Sequence, residues 1–361
     1  MTSTTPTLST ARMPPRLAPG TRVLVTGATS GLGRNAVQWL HENGHHAIAT
    51  GRDAIAGAAL AAQGIRFRAC DLTLASTAEL ESLLADADAV WHCAALSSPW
   101  GPAQDFQRIN VSATIALAQA AIRTGVPRFV HISTPSLYFD FQHRYDVPET
   151  FLAARFANDY ARSKHAAEQA LATLSAVGPD TRFILLRPRA IFGPHDRVLL
   201  PRLLAQLKSD SGGVLKLPRG GAALLDMTYA GNVVHAMMLA TAQPDLPNGR
   251  IYNISNHEPV RLADILQQLL VTELGLNLRI QSVPYPLLSA AAAAMEAAAK
   301  LSGHEPMLTR YSIGAVNFDM TLSPARAIAE LAYRPPIRLA DGVRLTARWL
   351  QARTPGGNRH G

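Results

Sequence analysis

The sequence predicts an α/β protein, a doubly wound parallel sheet with a smaller C-terminal lobe. Three observations predict it. From residue 21 to about 186, short apolar runs alternate with longer segments of helical periodicity, the pattern of a parallel sheet with crossover helices. The runs are apolar throughout, as strands covered on both faces are. The first run leads straight into a glycine-rich turn and then a helix, the context of a phosphate-binding βα junction.

The elements follow in order. Residues 22–26 read as a strand rich in β-branched side chains. Residues 31–43 carry Leu32, Val37 and Leu40 at helical spacing. Further strands are expected at 47–50, 65–69, 89–93, 129–132 and 183–186, with long helices at 106–124 and 157–175. Beyond Pro194 the pattern loosens. A helix at 198–208, a Gly/Pro-rich stretch at 211–222, a helix at 228–240, a strand at 251–254 and a helix at 261–274 are expected. The dinucleotide-binding domain is drawn as 20–195 plus about 225–255, and the lobe as about 196–224 and 256–350. A Thr/Ser/Pro-rich leader (1–19) and the tail (351–361) are expected to be disordered.

Composition narrows the function classes. Of 361 residues 48% are apolar and 17% charged, a globular balance. The formal charge is +8, but the arginines are scattered and form no block of like charge, so no nucleic-acid partner is expected. The two cysteines, Cys70 and Cys93, belong to no C-x-x-C pair and no Cys/His cluster, so no metal is expected. Cys93 reads as an inert thiol, and the cysteine usage suits a reducing, cytoplasmic setting. The apolar stretch 287–295 is too short to span a bilayer, although shallow contact with a membrane stays open. The leader lacks the apolar core of a secretory signal.

Thr26-Gly27-Ala28-Thr29-Ser30-Gly31-Leu32-Gly33 joins the first strand to the first helix. Glycines let a backbone turn tightly beside a pyrophosphate, and the helix N-terminus offers unpaired N–H groups to the anion. Gly27, Ser30, Gly31, Leu32 and Gly33 are therefore the expected cofactor contacts. The second strand ends in Gly51-Arg52 rather than an acidic residue. Gly51 leaves room for a ribose 2′-phosphate and Arg52 offers it a fork of donors, so NADP is expected in preference to NAD. Asp53, next in the chain, counts against that preference.

Tyr160 and Lys164 lie four residues apart on a predicted helix and so share a face. A phenol titrates near pH 10, and a neighbouring ammonium should lower that value. Tyr160 would then exchange a proton with an alcohol or ketone during hydride transfer.

At this point the chain resembles the extended short-chain dehydrogenase/reductase family, over roughly residues 21–350. The matching motifs occur in the family's order: the glycine turn, Asp71-Leu72 after strand three, His92-Cys93-Ala94-Ala95, Asn110-Val111, Phe129 to Thr134, the Tyr160/Lys164 pair, and Arg187-Pro188 through Gly193-Pro194. The resemblance implies a Rossmann-type domain. It implies that Asp71 and Leu72 contact adenine, that Ala94 and Ala95 let the backbone approach the cofactor, and that Pro188 lies in the nicotinamide cradle. It makes Thr134 the catalytic hydroxyl, Ser133 its neighbour and fallback, and Asn110 the support of a proton relay. Lys164 would also hold the nicotinamide ribose. The glycine spacing departs from the extended pattern, with Ser30 at the middle position and Gly31 one later.

The substrate side reads as apolar, with Trp100, Leu137, Tyr138, Phe139, Leu199, Leu200, Tyr285 and Leu287 as candidates. Arg197, Arg202 and Arg219 are candidates for a second anion site. The stretch Glu305-Pro306-Met307-Leu308-Thr309-Arg310 resembles the 3β-hydroxysteroid dehydrogenase branch, which implies a hydrophobic secondary alcohol or ketone. Pro135-Ser136 after Thr134 argues against a sugar dehydratase. The alternatives are a nucleotide-sugar epimerase and a non-catalytic dinucleotide-binding regulator. The resemblance also implies a homodimer through helices 106–124 and 157–175.

Overall fold

A computed structural model describes residues 16–178, 180–197 and 213–353. The expected helix at 198–208, with Leu199, Leu200 and Arg202, lies outside the described residues, as do most of the leader and of the tail.

Seven strands form the main sheet: β1 Arg22–Thr26, β2 His46–Gly51, β3 Arg66–Ala69, β4 Ala89–His92, β5 Arg128–Ile132, β6 Arg182–Pro188 and β7 Arg250–Ile254. Their order is β3-β2-β1-β4-β5-β6-β7, and every pairing is parallel. The chain winds outward from β1 in one direction and from β4 in the other. Between them lies the switch point, whose carboxyl-end crevice is where such sheets take their ligands.

Two apolar cores flank the sheet. Val23 and Val25 of β1 point to one, with α1 (Gly31–Glu42) supplying Ala36, Val37 and Leu40. Leu24 points to the other, which is closed by Leu117 and Ala121 of α2 (Ala113–Arg123) and Leu171 of α3 (Asp159–Val177). Helix α4 (Ala230–Ala242) packs Val233 and Met237 beside α1.

The smaller lobe is built on a four-stranded sheet that lines up Val260–Arg261, Leu224–Leu225, Met320–Leu322 and Arg144–Val147. A parallel pair, Val214–Pro218 with Arg279–Val283, lies beside it. Arg144–Val147 comes from the middle of the dinucleotide-binding half, so the lobe draws on both halves of the chain. Leu137, Tyr138 and Phe139 are wholly buried there against Val147, Ala161 and Met320. Expected to line the substrate side, they are core instead.

Local differences have simple causes. The expected helix 106–124 begins at Ala103 and passes through a π-helical turn, Gln107–Ser112. The expected helix 261–274 is likewise an α-helical Leu262–Leu266 continued by a π-helical stretch, Gln267–Glu273. Apolar periodicity does not register one extra residue per turn. Thr228–Tyr229 pairs as a strand with Ile191–Phe192 before α4 starts at Ala230. The apolar stretch 287–295 belongs to helix α5 (Tyr285–Ser302). Among the described residues no helix is long and apolar enough to cross a membrane.

Candidate active site

The glycine turn sits at the carboxyl end of β1. Gly27 has φ +65°, and a Cβ there would stand 2.9 Å from the Ala94 amide nitrogen. The backbones after β1 and β4 therefore approach as closely as glycine allows, with Ala94 on the wall of the crevice. Gly33 packs α1 onto the turn, since a Cβ would fall 2.3 Å from the Gly27 carbonyl oxygen. Gly31, at φ +49°, faces open space with nothing within 4 Å of such a Cβ. Ser30 is the N-cap of α1 and makes no side-chain cap bond. The Gly31 amide donates to the His195 carbonyl at 2.8 Å, and Asn35 Nδ2 donates to the Pro194 carbonyl at 2.7 Å. The Gly193-Pro194-His195 segment is thus laced to the turn. The first-turn amides of Leu32 and Gly33 have no carbonyl to reach within α1. This is a cradle that fits a dinucleotide pyrophosphate. Gly27→Ala should lower dinucleotide affinity at least about tenfold, because both the positive φ and the contact resist a methyl group. Fluorescence titration with NADPH checks it.

At the carboxyl end of β2, Arg52 is largely exposed and lies 4.0 Å from Asp71. Asp53 caps the helix Ala54–Ala61 through the Ala56 amide and faces Arg197 at 3.4 Å. Its carboxylate is thus engaged by a backbone amide and by Arg197. Arg197, a candidate for the substrate side, belongs to this end. Arg34 reaches Gln63 at 3.3 Å while its Nε has no partner among the described residues. Arg219 is tied to Asp319 at 2.9 Å and to the Asn317 carbonyl at 2.8 Å, so it braces the lobe. Asp71 accepts from the Thr73 amide and hydroxyl, and Leu72 packs against the second core.

Helix α3 starts where Asn158 accepts from the Ala161 amide. Tyr160, Lys164 and Glu168 follow at one-turn intervals on the face toward β5 and β6. The Tyr160 phenol faces the Thr134 and Ser97 hydroxyls. Burial pushes this phenol above its usual range, and those two hydroxyls pull it partly back. The net direction is the reverse of the lowering expected from Lys164, whose ammonium donates to the Ile132 carbonyl at 2.6 Å. Burial lowers Lys164 to about 8, against the opposing pull of Glu168. Burial likewise pushes the Cys93 thiol up to about 12, leaving it inert.

Thr134 donates to Ser136 Oγ at 2.9 Å, and Ser136 Oγ meets the Tyr311 hydroxyl at 2.6 Å. A chain of hydroxyls thus runs from Thr134, beside the Tyr160 phenol, through Ser136 to Tyr311, which lies on α6 (Arg310–Ala315) of the lobe. Ser133, the fallback to Thr134, donates its hydroxyl to Glu168. That carboxylate also takes both forks of Arg187, so the Ser133 hydroxyl belongs to a buried network. Asn110 donates to Ser163 Oγ at 2.9 Å and accepts from the Leu96 amide at 2.8 Å. It fastens the loop before Ser97 to α3. Pro188, the last residue of β6, is buried. Ala95 is half-buried after β4. Among the described residues no group of His, Cys, Asp and Glu could hold a metal ion.

Sequence reasoning missed Ser97, Ser136, Glu168 and Tyr311. Glu168 was within reach of the one-turn spacing that singled out Tyr160 and Lys164. Tyr311 carried no signal, because only the lobe's folding brings it to Ser136.

Residues 23–255 match the model of the NAD dependent epimerase/dehydratase family. The chain is 48% identical over 332 residues to the uncharacterized protein YbjS of Escherichia coli, covering 91% of this chain and 98% of that one. It is 30% identical over 329 residues to the 4-hydroxy-2-methyl-3-oxo-4-farnesyl-3,4-dihydroquinoline-1-oxide ketoreductase of Stigmatella aurantiaca, with 89% and 94% coverage. It is 29% identical over 332 residues to the 2-alkyl-3-oxoalkanoate reductase of Stenotrophomonas maltophilia, with 90% and 97% coverage. Among solved structures, a UDP-glucose 4-epimerase from Thermotoga maritima shares the fold, with TM-score 0.72 at 19% identity over 92% of this chain and 99% of that one.

Proposed function

The chain belongs to the NAD-dependent epimerase/dehydratase family and is an oxidoreductase of the extended short-chain dehydrogenase/reductase type; from that premise we propose that it transfers hydride between NADPH and a hydrophobic secondary alcohol or ketone. One observation carries the reading: the Tyr160 phenol, facing the Thr134 and Ser97 hydroxyls, on a helix that also carries Lys164 to the carboxyl end of β5. The relatives named as a ketoreductase and an oxoalkanoate reductase support the same chemistry.

Gly27, Ser30, Gly31, Leu32 and Gly33 would hold the pyrophosphate, Asp71 and Leu72 would flank the adenine, and Ala94, Ala95 and Pro188 would line the nicotinamide end. The bound nicotinamide supplies or accepts the hydride. Thr134 orients the substrate oxygen as a fixed donor. Tyr160 gives that oxygen a proton in reduction and takes it back in oxidation. A phenol raised by burial stays protonated at neutral pH, the form that donates to the substrate oxygen in reduction. Lys164 keeps a positive charge beside the site below about pH 8. No metal is needed for these steps. The reading includes a homodimer through α2 and α3 and a cytoplasmic place of action.

Turnover of hydrophobic ketones with NADPH tests the reading, and turnover of a nucleotide sugar in their place would overturn it. The choice of NADP rests on Arg52, with Arg34 and Arg197 near it. Arg52→Ala should weaken NADPH binding about tenfold, which is about 1.4 kcal/mol, and change NADH binding little. Paired fluorescence titrations decide it, and equal loss for both cofactors would refute the assignment.

A further inference from the structure

Arg187 and Arg189 lie two residues apart at the end of β6, and their surroundings differ sharply. Arg187 is fully satisfied. Its guanidinium bonds both Glu168 oxygens, the Tyr138 hydroxyl and the Glu149 carbonyl. Arg189 has a rigid mount, with its amide on the Ile254 carbonyl at 3.2 Å and its own carbonyl accepting from Thr228 Oγ1 at 2.6 Å. Yet its Nε is enclosed with no hydrogen-bond partner. Among the described residues no ion pair or side-chain hydrogen bond engages its guanidinium.

We propose that Arg189 binds a carboxylate of the substrate, so that the alcohol or ketone handled at Thr134 and Tyr160 belongs to a hydroxy or oxo carboxylic acid with an apolar body. This rests on the hydride-transfer reading of the same site. The position supports it. The Ser133 amide donates to the Leu186 carbonyl at 2.7 Å, which sets the ends of β5 and β6 side by side, and Thr134 and Arg189 with them. The Arg189 charge also acts on Tyr311, the far end of the hydroxyl chain from Tyr160. An enclosed guanidinium nitrogen without a hydrogen-bond partner is costly, and such groups cluster at functional sites.

The one acid facing it is Asp226. Its Oδ2 accepts from the Leu322 amide at 2.7 Å, its Oδ1 has no hydrogen-bond partner among the described residues, and burial raises its pKa. No hydrogen bond joins it to the guanidinium among the described residues, so the fork of donors stays open. A single fork of donors suits a monoanion, and the planar pairing of guanidinium with carboxylate is the strong form of that bond. A nucleotide-sugar diphosphate would bring more charge than one such cation balances.

The test uses the full-length protein with 3-hydroxydodecanoate and its methyl ester. Wild-type kcat/KM with NADP should favour the acid by about 100-fold, the size of a lost charge-assisted pair. Arg189→Gln should reduce that ratio below about tenfold, with Arg189→Lys in between. In a Tyr160→Phe background loaded with NADP, Arg189→Gln should weaken calorimetric binding of the acid about 30-fold. Equal use of acid and ester by the wild type, or equal loss of both in Arg189→Gln, overturns the inference while leaving hydride transfer intact. Arg189-dependent binding of the acid without turnover of either compound upholds the carboxylate site and overturns the hydride-transfer reading. The acid-to-ester ratio of the wild type needs no variant, so it decides the matter even if Arg189→Gln does not fold.

Discussion

Replacing Tyr160 with phenylalanine should lower kcat for ketone reduction by about 10²–10⁴-fold, the range for loss of a positioned proton donor. The ring stays, so packing of α3 stays. The Asn158 cap and the Lys164 bond to Ile132 lie on other atoms. NADPH affinity should therefore change little, and titration beside steady-state rates separates the two effects. Wild-type turnover in this variant would remove Tyr160 from the chemistry. Phenylalanine also removes the hydroxyl that faces Thr134 and Ser97, while Thr134 keeps its bond to Ser136.

The second large effect concerns stability. Arg187 and Glu168 form an ion pair with both side chains at least nine-tenths buried. Glu168→Ala strands the guanidinium without its carboxylate and frees Ser133. The expected cost is about 3–5 kcal/mol, as for other broken buried pairs. Denaturant unfolding followed by circular dichroism measures it. Removing both charges, as in Glu168→Leu with Arg187→Met, should cost less than Glu168→Ala alone, because no buried charge is then left unpaired. If the double variant were the less stable of the two, the pair would be a net source of stability rather than a burial problem solved in place.

Most of the sheet was legible in the sequence because buried parallel strands are continuous apolar runs. Residues 22–26, 129–132 and 251–254 show this, each falling on an observed strand within a residue at either end. The crossing through π-helical Gln107–Ser112 was not, because one additional residue in a turn leaves the apolar stripe nearly unchanged. The short strands of the lobe were missed for a different reason. Pairs such as Leu224–Leu225 with Val260–Arg261 are too brief to show a period.

The candidate site divides in the same way. The turn from Gly27 to Gly33 and the spacing of Tyr160 and Lys164 are local facts, since glycine conformations and one-turn neighbours depend on adjacent residues. Those local facts determined the fold class and the residues of the expected chemistry. Only the tertiary structure decided what each side chain meets. It sent Lys164 to Ile132 and buried the Tyr160 phenol, so the phenol is raised where a lowering was expected. It assigned Ser133 to Glu168 and Asn110 to Ser163, and it moved Tyr138 from the substrate side into the core. It also brought Tyr311 to Ser136 and left Arg189 without a partner among the described residues. Hydrogen bonds and burial of this kind join residues far apart in the chain, and no local spacing encodes them.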